Sequence, residues 1–205
     1  MSNFFKKGRT GRLVLLSLSV VIIAFGFWFS GTNAYTFMKG YWLYKTTEPQ
    51  TEVAFANKPD QTANRPASLY SVRPEQGEMI GNLTIPKLNA NLPIYHGTDE
   101  DELEKGVGHF AGSVLPGEKD NSVLSGHRDT VFRQLGNVGK GDLLVVTTNA
   151  GKFTYKIRKT RFVDANDRTV IVPKPRATLT VTTCYPFDFI GDAPERYILI
   201  ADLIE

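Results

Sequence analysis

Cysteine is nearly absent from this 205-residue chain: Cys184 is the only one. No disulfide can form within the chain, and a lone thiol in an exported protein is buried, intermolecular or reactive. Histidine is almost as scarce. His96, His109 and His127 are too scattered to give a zinc-ligand spacing. There is no glycine-rich phosphate loop, no Gly-x-Ser-x-Gly elbow and no His-Glu-x-x-His helix. Neither a metal nor a cofactor is expected. Internal repeats are missing too. Acidic residues are absent from the first 47 positions, which carry Lys6, Lys7, Arg9, Arg12, Lys39 and Lys45. With those six set aside, 18 of the 24 basic residues face 21 acidic ones. The net charge of +3 therefore hides a mildly acidic body, which is not a nucleic-acid binder's balance.

What is present begins with residues 13–30, an uncharged apolar run that as a helix spans about 27 Å, close to the hydrocarbon thickness of a bilayer. Four basic residues precede it, so residues 1–12 are expected in the cytoplasm and the rest outside. A cleaved signal peptide is the competing reading, since Thr32-Asn33-Ala34 loosely fits a cleavage site. The length of the run and the aromatics Trp28, Tyr35, Phe37, Tyr41, Trp42 and Tyr44 favour an uncleaved anchor. Residues 31–76 are expected to form a juxtamembrane segment and stalk. From residue 46 the segment is polar and punctuated by Pro49, Pro59, Pro66 and Pro74.

Residues 77–205 have a different texture. Strands are expected over 79–85, 90–95, 122–126, 143–148, 152–164, 178–184 and 197–203, with a hairpin across Asn149-Ala150-Gly151. A short helix is expected over 99–105, where Asp99, Glu100, Asp101, Glu102 and Glu104 read as an acidic helix start rather than a calcium site. A helical turn is expected over 130–135. Seven or eight short strands with little helix suggest a barrel or sandwich.

The stretch 178–187, Thr-Leu-Thr-Val-Thr-Thr-Cys-Tyr-Pro-Phe, holds the one thiol. Its β-branched composition favours a strand, and Pro186 ends the ladder at or just after Cys184. Leu179, Val181 and Thr183 share one face, while Thr180, Thr182 and Cys184 share the other. A nucleophilic cysteine needs a proton acceptor and an oxyanion stabiliser. His127 lies just past a short apolar strand, where Gly126 lets the backbone turn. Arg196 opens the last strand, so it lies beside Cys184 if the two strands are antiparallel neighbours. The bland alternatives are a packed thiol, a structural histidine and a surface arginine.

Thr180-Val181-Thr182-Thr183-Cys184 resembles the Thr-Leu-x-Thr-Cys strand of the sortases, membrane-anchored cysteine transpeptidases of Gram-positive bacteria. Gly126-His127 matches that family's Gly-His pair, and Arg196 its arginine at the start of the last strand. The stretches 124–132 and 183–187 look most like the class D group. The resemblance implies a mostly β fold: a closed eight-stranded barrel with short helices over 77–205, behind an N-terminal transmembrane helix. It implies His127, Cys184 and Arg196 as catalytic residues, with Ser125 and Thr183 as expected substrate contacts. The implied partners are secreted proteins bearing a Leu-Pro-x-Thr-type sorting signal and an amine of the peptidoglycan precursor. An L,D-transpeptidase is a rival, echoed by His96-Gly97-Thr98, but Cys184 lacks that family's Ser-His-Gly-Cys setting. A thiol protease finds no carboxylate convincingly placed to orient His127. A non-catalytic anchored binding barrel is the rival from another class.

Overall fold

The computed structural model describes residues 16–31, 34–35, 38, 69–188, 191 and 193–205. The chain divides into two compact units, Met1–Lys39 and Gly40–Glu205. In the first, residues 16–31 form a helix, α1, with every side chain exposed. Among the described residues no helix is long and apolar enough to cross a membrane. The first three residues of the run expected to span, the basic tail before it and most of the expected stalk lie outside the described residues.

The second unit is a closed barrel of eight strands: β1 (Met79–Ile85), β2 (Ala90–His96), β3 (Val107–His109), β4 (Asn121–Ser125), β5 (Leu143–Thr148), β6 (Gly151–Asp164), β7 (Thr178–Tyr185) and β8 (Glu195–Leu203). Their spatial order is β1-β2-β3-β4-β7-β8-β6-β5. Alternating apolar residues build the lumen. Leu83, Ile85, Leu92, Ile94, Leu144, Val146, Leu179, Val181 and Leu199 are all fully buried in one cluster. Burying one such side chain stabilises the fold by about 1.5–3 kcal/mol, so the period of two in these segments commits each strand to one orientation.

Local chemistry sets the tight connections. β1 and β2 join through a single 3-10 turn, Pro86–Leu88, which Asn89 closes in the left-handed region at φ 50°. β5 and β6 form the expected hairpin, with Thr148 opposite Gly151. The acidic run supplies α2 (Glu100–Leu103), which carries the chain from β2 to β3 as a parallel crossover. The Glu102 carboxylate is buried and accepts the Asp99 backbone N–H at 3.0 Å, satisfying a donor at the helix start. Residues 130–135 form turns that lead into a 3-10 turn at Leu135–Asn137.

β3 was not expected. It is a three-residue Val-Gly-His element that no periodicity could reveal. A Cβ at Gly108 would lie 2.5 Å from the Gly97 carbonyl oxygen, so only glycine lets the two segments approach.

The barrel also has an outer layer over β7 and β8. Val163, Val170, Ile198 and Ile200 form a second buried cluster. Val170 belongs to the β6–β7 connection, which is fastened down by Asn121. The Asn121 Nδ2 donates to the Val170 and Val172 carbonyls at 3.4 and 3.1 Å, and its Oδ1 accepts the Thr180 hydroxyl at 2.7 Å. Thr180 thus faces away from the lumen, and Cys184 shares its parity, as the alternation of 179–184 implied.

Candidate active site

Cys184 is the penultimate residue of β7, half-buried and free. Two neighbouring strands decide what stands beside it. On one side β8 runs antiparallel, with Cys184 directly opposite Arg196. On the other, β4 runs parallel, with Ser125 opposite Thr182. Two contacts extend that pairing beyond the strand: Gly126 N–H donates to the Thr182 carbonyl at 3.3 Å, and the Thr183 hydroxyl donates to the Gly126 carbonyl at 2.7 Å. His127, the next residue, therefore leaves β4 at the same end of the sheet at which β7 carries Cys184. Cys184, the facing Arg196 and His127 just past the end of β4 thus lie at one end of the sheet, and all three are half-buried.

The turn carrying His127 is tightly built. The His127 carbonyl accepts the Phe132 N–H at 3.0 Å, and Phe132 is fully buried. Gly126 is needed here, though not for an unusual φ. A Cβ on it would sit 2.6 Å from the Phe132 ring. His127 Nε2 is 3.3 Å from Glu100 Oε1, the first residue of α2, an ion pair whenever the ring is protonated. A carboxylate thus does reach His127, from a crossover that sequence distance gave no reason to connect with it.

Arg196 Nη1 donates to the carbonyls of Ala193 and Glu195, both at 3.0 Å, so its base is held by the loop that leads into β8. Thr183 is buried, and its hydroxyl is committed to Gly126. Ser125 is half-buried at the end of β4. The rings of Tyr185, Phe187, Tyr197 and Phe162 pack against one another at centroid distances of 4.6–5.7 Å, bracing the end of β7 and the start of the next loop.

One residue of this region was missed. Arg128 is only 6% exposed, and it donates to the carbonyls of Pro186 and Gly191 beyond Cys184. Its only sequence signal was its place next to His127.

His96 and His109 belong to a separate cluster. They lie opposite each other on β2 and β3, with Nδ1 atoms 3.0 Å apart. His109 Nε2 lies 2.9 Å from the Val114 carbonyl, so that nitrogen carries the proton and Nδ1 accepts from His96. Burial pushes His109 down to about 4. A concavity of about 440 Å³ near His96, between Ser113, Asp120 and Ile171, does not include Cys184. Among the described residues, no group of three histidine, cysteine or carboxylate side chains is placed to hold a metal.

A closed barrel of this strand order, with a free thiol at the end of β7 and an arginine opposite it on β8, points to a cysteine-dependent enzyme. The chain belongs to the sortase family: residues 83–204 match the sortase domain. It is 48% identical to Sortase D of Bacillus subtilis over 153 residues, which cover 74% of this chain and 75% of that one. Among solved structures, a Clostridium perfringens Sortase D5 transpeptidase aligns with a TM-score of 0.59 and 30% identity, over 64% of this chain and 82% of that one. Sortase A from Corynebacterium diphtheriae aligns at 0.58 and 31%, over 63% and 62% of the two chains. The protein is thus a cysteine transpeptidase with the sortase barrel.

Proposed function

We propose that this sortase cleaves a Leu-Pro-x-Thr-type signal on secreted proteins and transfers them to an amine of the peptidoglycan precursor. What supports this reading is Arg196 directly opposite Cys184 on β8, with His127 two residues past the end of β4, the strand that pairs with β7 on its other side. The Cys184 sulfur attacks the carbonyl carbon of the signal's threonine. The guanidinium of Arg196 donates to the oxygen that gains charge. The carbon–nitrogen bond breaks as His127 gives a proton to the leaving amine, and a thioester remains on Cys184. An incoming amine attacks that thioester, passes its proton to His127 and releases Cys184 as the thiolate, which restores the pair that began the cycle. Ser125 lies where substrate passes, and Thr183 shapes the site through its bond to Gly126.

The domain arrangement belongs to the same reading. Residues 1–12 stay in the cytoplasm, 13–30 anchor the chain in the membrane, 31–76 lead outward and end packed against the barrel through Tyr70 and Arg73, and 77–205 carry the enzyme outside the cell. The uncharged run behind four basic residues supports this topology.

A panel of sorting-signal peptides, assayed with and without an amine acceptor, tests the reaction. The wild type is expected to form a hydroxylamine-sensitive thioester and to turn over faster with amine. Cys184→Ala is expected to be inert in both cleavage and transfer. Transfer by Cys184→Ala would refute the mechanism. A wild type that hydrolyses every peptide and ignores every amine is a thiol protease instead.

A further inference from the structure

Arg128 sits one peptide bond from His127, on a turn whose next residue, Asp129, is 70% exposed, yet its own side chain is 6% exposed. A guanidinium that leaves water must have its donors met by other groups. Nη1 donates to the Pro186 carbonyl at 3.0 Å and Nη2 to the Gly191 carbonyl at 2.7 Å, while Nε lies 3.4 Å from Asp129 Oδ1. Both carbonyls lie on the connection between β7 and β8, the segment that leaves Cys184 and arrives at Arg196. One planar fork therefore joins three things: the turn bearing His127, the exit from the nucleophile and the approach to the arginine. Elsewhere the β4 side is fastened to β7 by the Thr183 hydroxyl, but that bond reaches only the strand and not the loop beyond it.

We propose that Arg128 is a positioning residue for the sortase reaction. Its guanidinium holds Pro186 and Gly191 of the β7–β8 connection against the His127 turn, so that Cys184, His127 and Arg196 keep one alignment. The proposal rests on the reaction assigned above. The geometry explains why arginine is required: two carbonyls are met by two nitrogens of one rigid plane, which the single ammonium of lysine cannot reproduce. Misplacing reacting groups by about 1 Å costs on the order of a hundredfold in rate, so a loosened loop is felt in turnover before it is felt in folding.

The test compares full-length wild type, Arg128→Lys and Arg128→Gln in detergent. Four quantities are read: kcat and KM on a Leu-Pro-x-Thr peptide, the alkylation rate of Cys184 by iodoacetamide, the thermal midpoint, and amide hydrogen exchange along the chain. In Arg128→Lys, kcat/KM per folded molecule is expected to fall about tenfold or more, mostly in kcat. Alkylation by the small reagent should change less than about threefold, because the thiol itself is untouched. Exchange should rise over 186–195 and stay unchanged in β1 and β2. Arg128→Gln should behave likewise, with a larger loss. If both variants keep kcat/KM within about twofold of wild type, or if exchange over 186–195 is unchanged in Arg128→Lys, the proposal is wrong. Should the wild type cleave no sorting peptide, the reaction assignment fails, and the exchange measurement alone decides the clamp.

Discussion

Cys184, His127 and Arg196 differ in how strongly their surroundings fix them. Arg196 is tied at Nη1 to two carbonyls, so its substitution tests geometry as well as charge. Arg196→Ala is expected to lower kcat/KM on the order of a hundredfold or more. Arg196→Lys should recover little, because an ammonium lacks the planar set of donors. Peptide cleavage assays on both variants, at equal folded concentration, check this. Glu100 is a different case. It touches His127 Nε2 from a side chain 70% exposed to water. Exposed pairs contribute about 0–1 kcal/mol, so Glu100→Gln is expected to change kcat/KM by less than about fivefold, and by less still in high salt. A loss near that of Arg196→Ala would mean that the carboxylate takes part in the chemistry.

At the level of elements, the paired ends of β2 and β3 carry a pH dependence. Burial lowers both His96 and His109, the latter to about 4. In the unfolded chain each ring takes a proton below about pH 6.5, whereas the folded His109 stays neutral until about pH 4. The unfolded state therefore binds more protons across that window. Stability is full above pH 6.5 and falls as pH drops towards 4, by about 3 kcal/mol in all. Urea unfolding at pH 7 and pH 4.5 should show the loss, and His109→Gln should flatten it. If wild type and His109→Gln have parallel pH profiles, the buried histidine is not the cause. Activity should not depend on these rings directly, since neither stands beside Cys184.

For the whole molecule, the open question is where the barrel's own chain begins. Tyr70 is 6% exposed, and its hydroxyl donates to the Pro116 carbonyl at 2.7 Å and lies 3.0 Å from Thr148 Oγ1. Arg73 makes two bonds to the Glu118 carboxylate, at 2.7 and 2.8 Å. The last residues of the segment expected as stalk thus pack on the β3–β4 loop. A chain begun at Arg73 should fold and react. One begun at Leu69 should be more stable, by about 2–4 kcal/mol for the buried aromatic ring and its hydroxyl. Chemical denaturation of the two truncations measures the difference, and equal midpoints would place Tyr70 outside the cooperative unit.

Much of this was legible in the residues, and the reasons are local. Strand periodicity and β-branched composition gave β1, β2, β5, β6, β7 and β8 to within a few positions. Glycine and asparagine marked the β5–β6 hairpin. Pro186 placed Cys184 at a strand end, and the alternation of 179–184 put it on one face with Thr180 and Thr182; the structure shows that face to be the outer one. Arg196 opposite Cys184 followed once β7 and β8 were antiparallel neighbours, and the structure makes them so. Other features depended on pairing between distant segments. The parallel ladder of β4 on β7 rests on backbone hydrogen bonds, which leave no mark on residue type, yet it alone brings the end of β4, just before His127, to the end of β7 that carries the thiol. β3 is too short to carry a period. The contact of Glu100 with His127, the burial of Arg128 and the docking of Tyr70 arise only when loops fold back on the closed barrel. The sequence by itself determined the strands, the place of Cys184 at the end of one of them and the residues that share its face, because those follow from steric preference and side-chain alternation along a few residues. Only the tertiary structure decided the neighbours of Cys184, because closing a barrel selects which distant backbones meet.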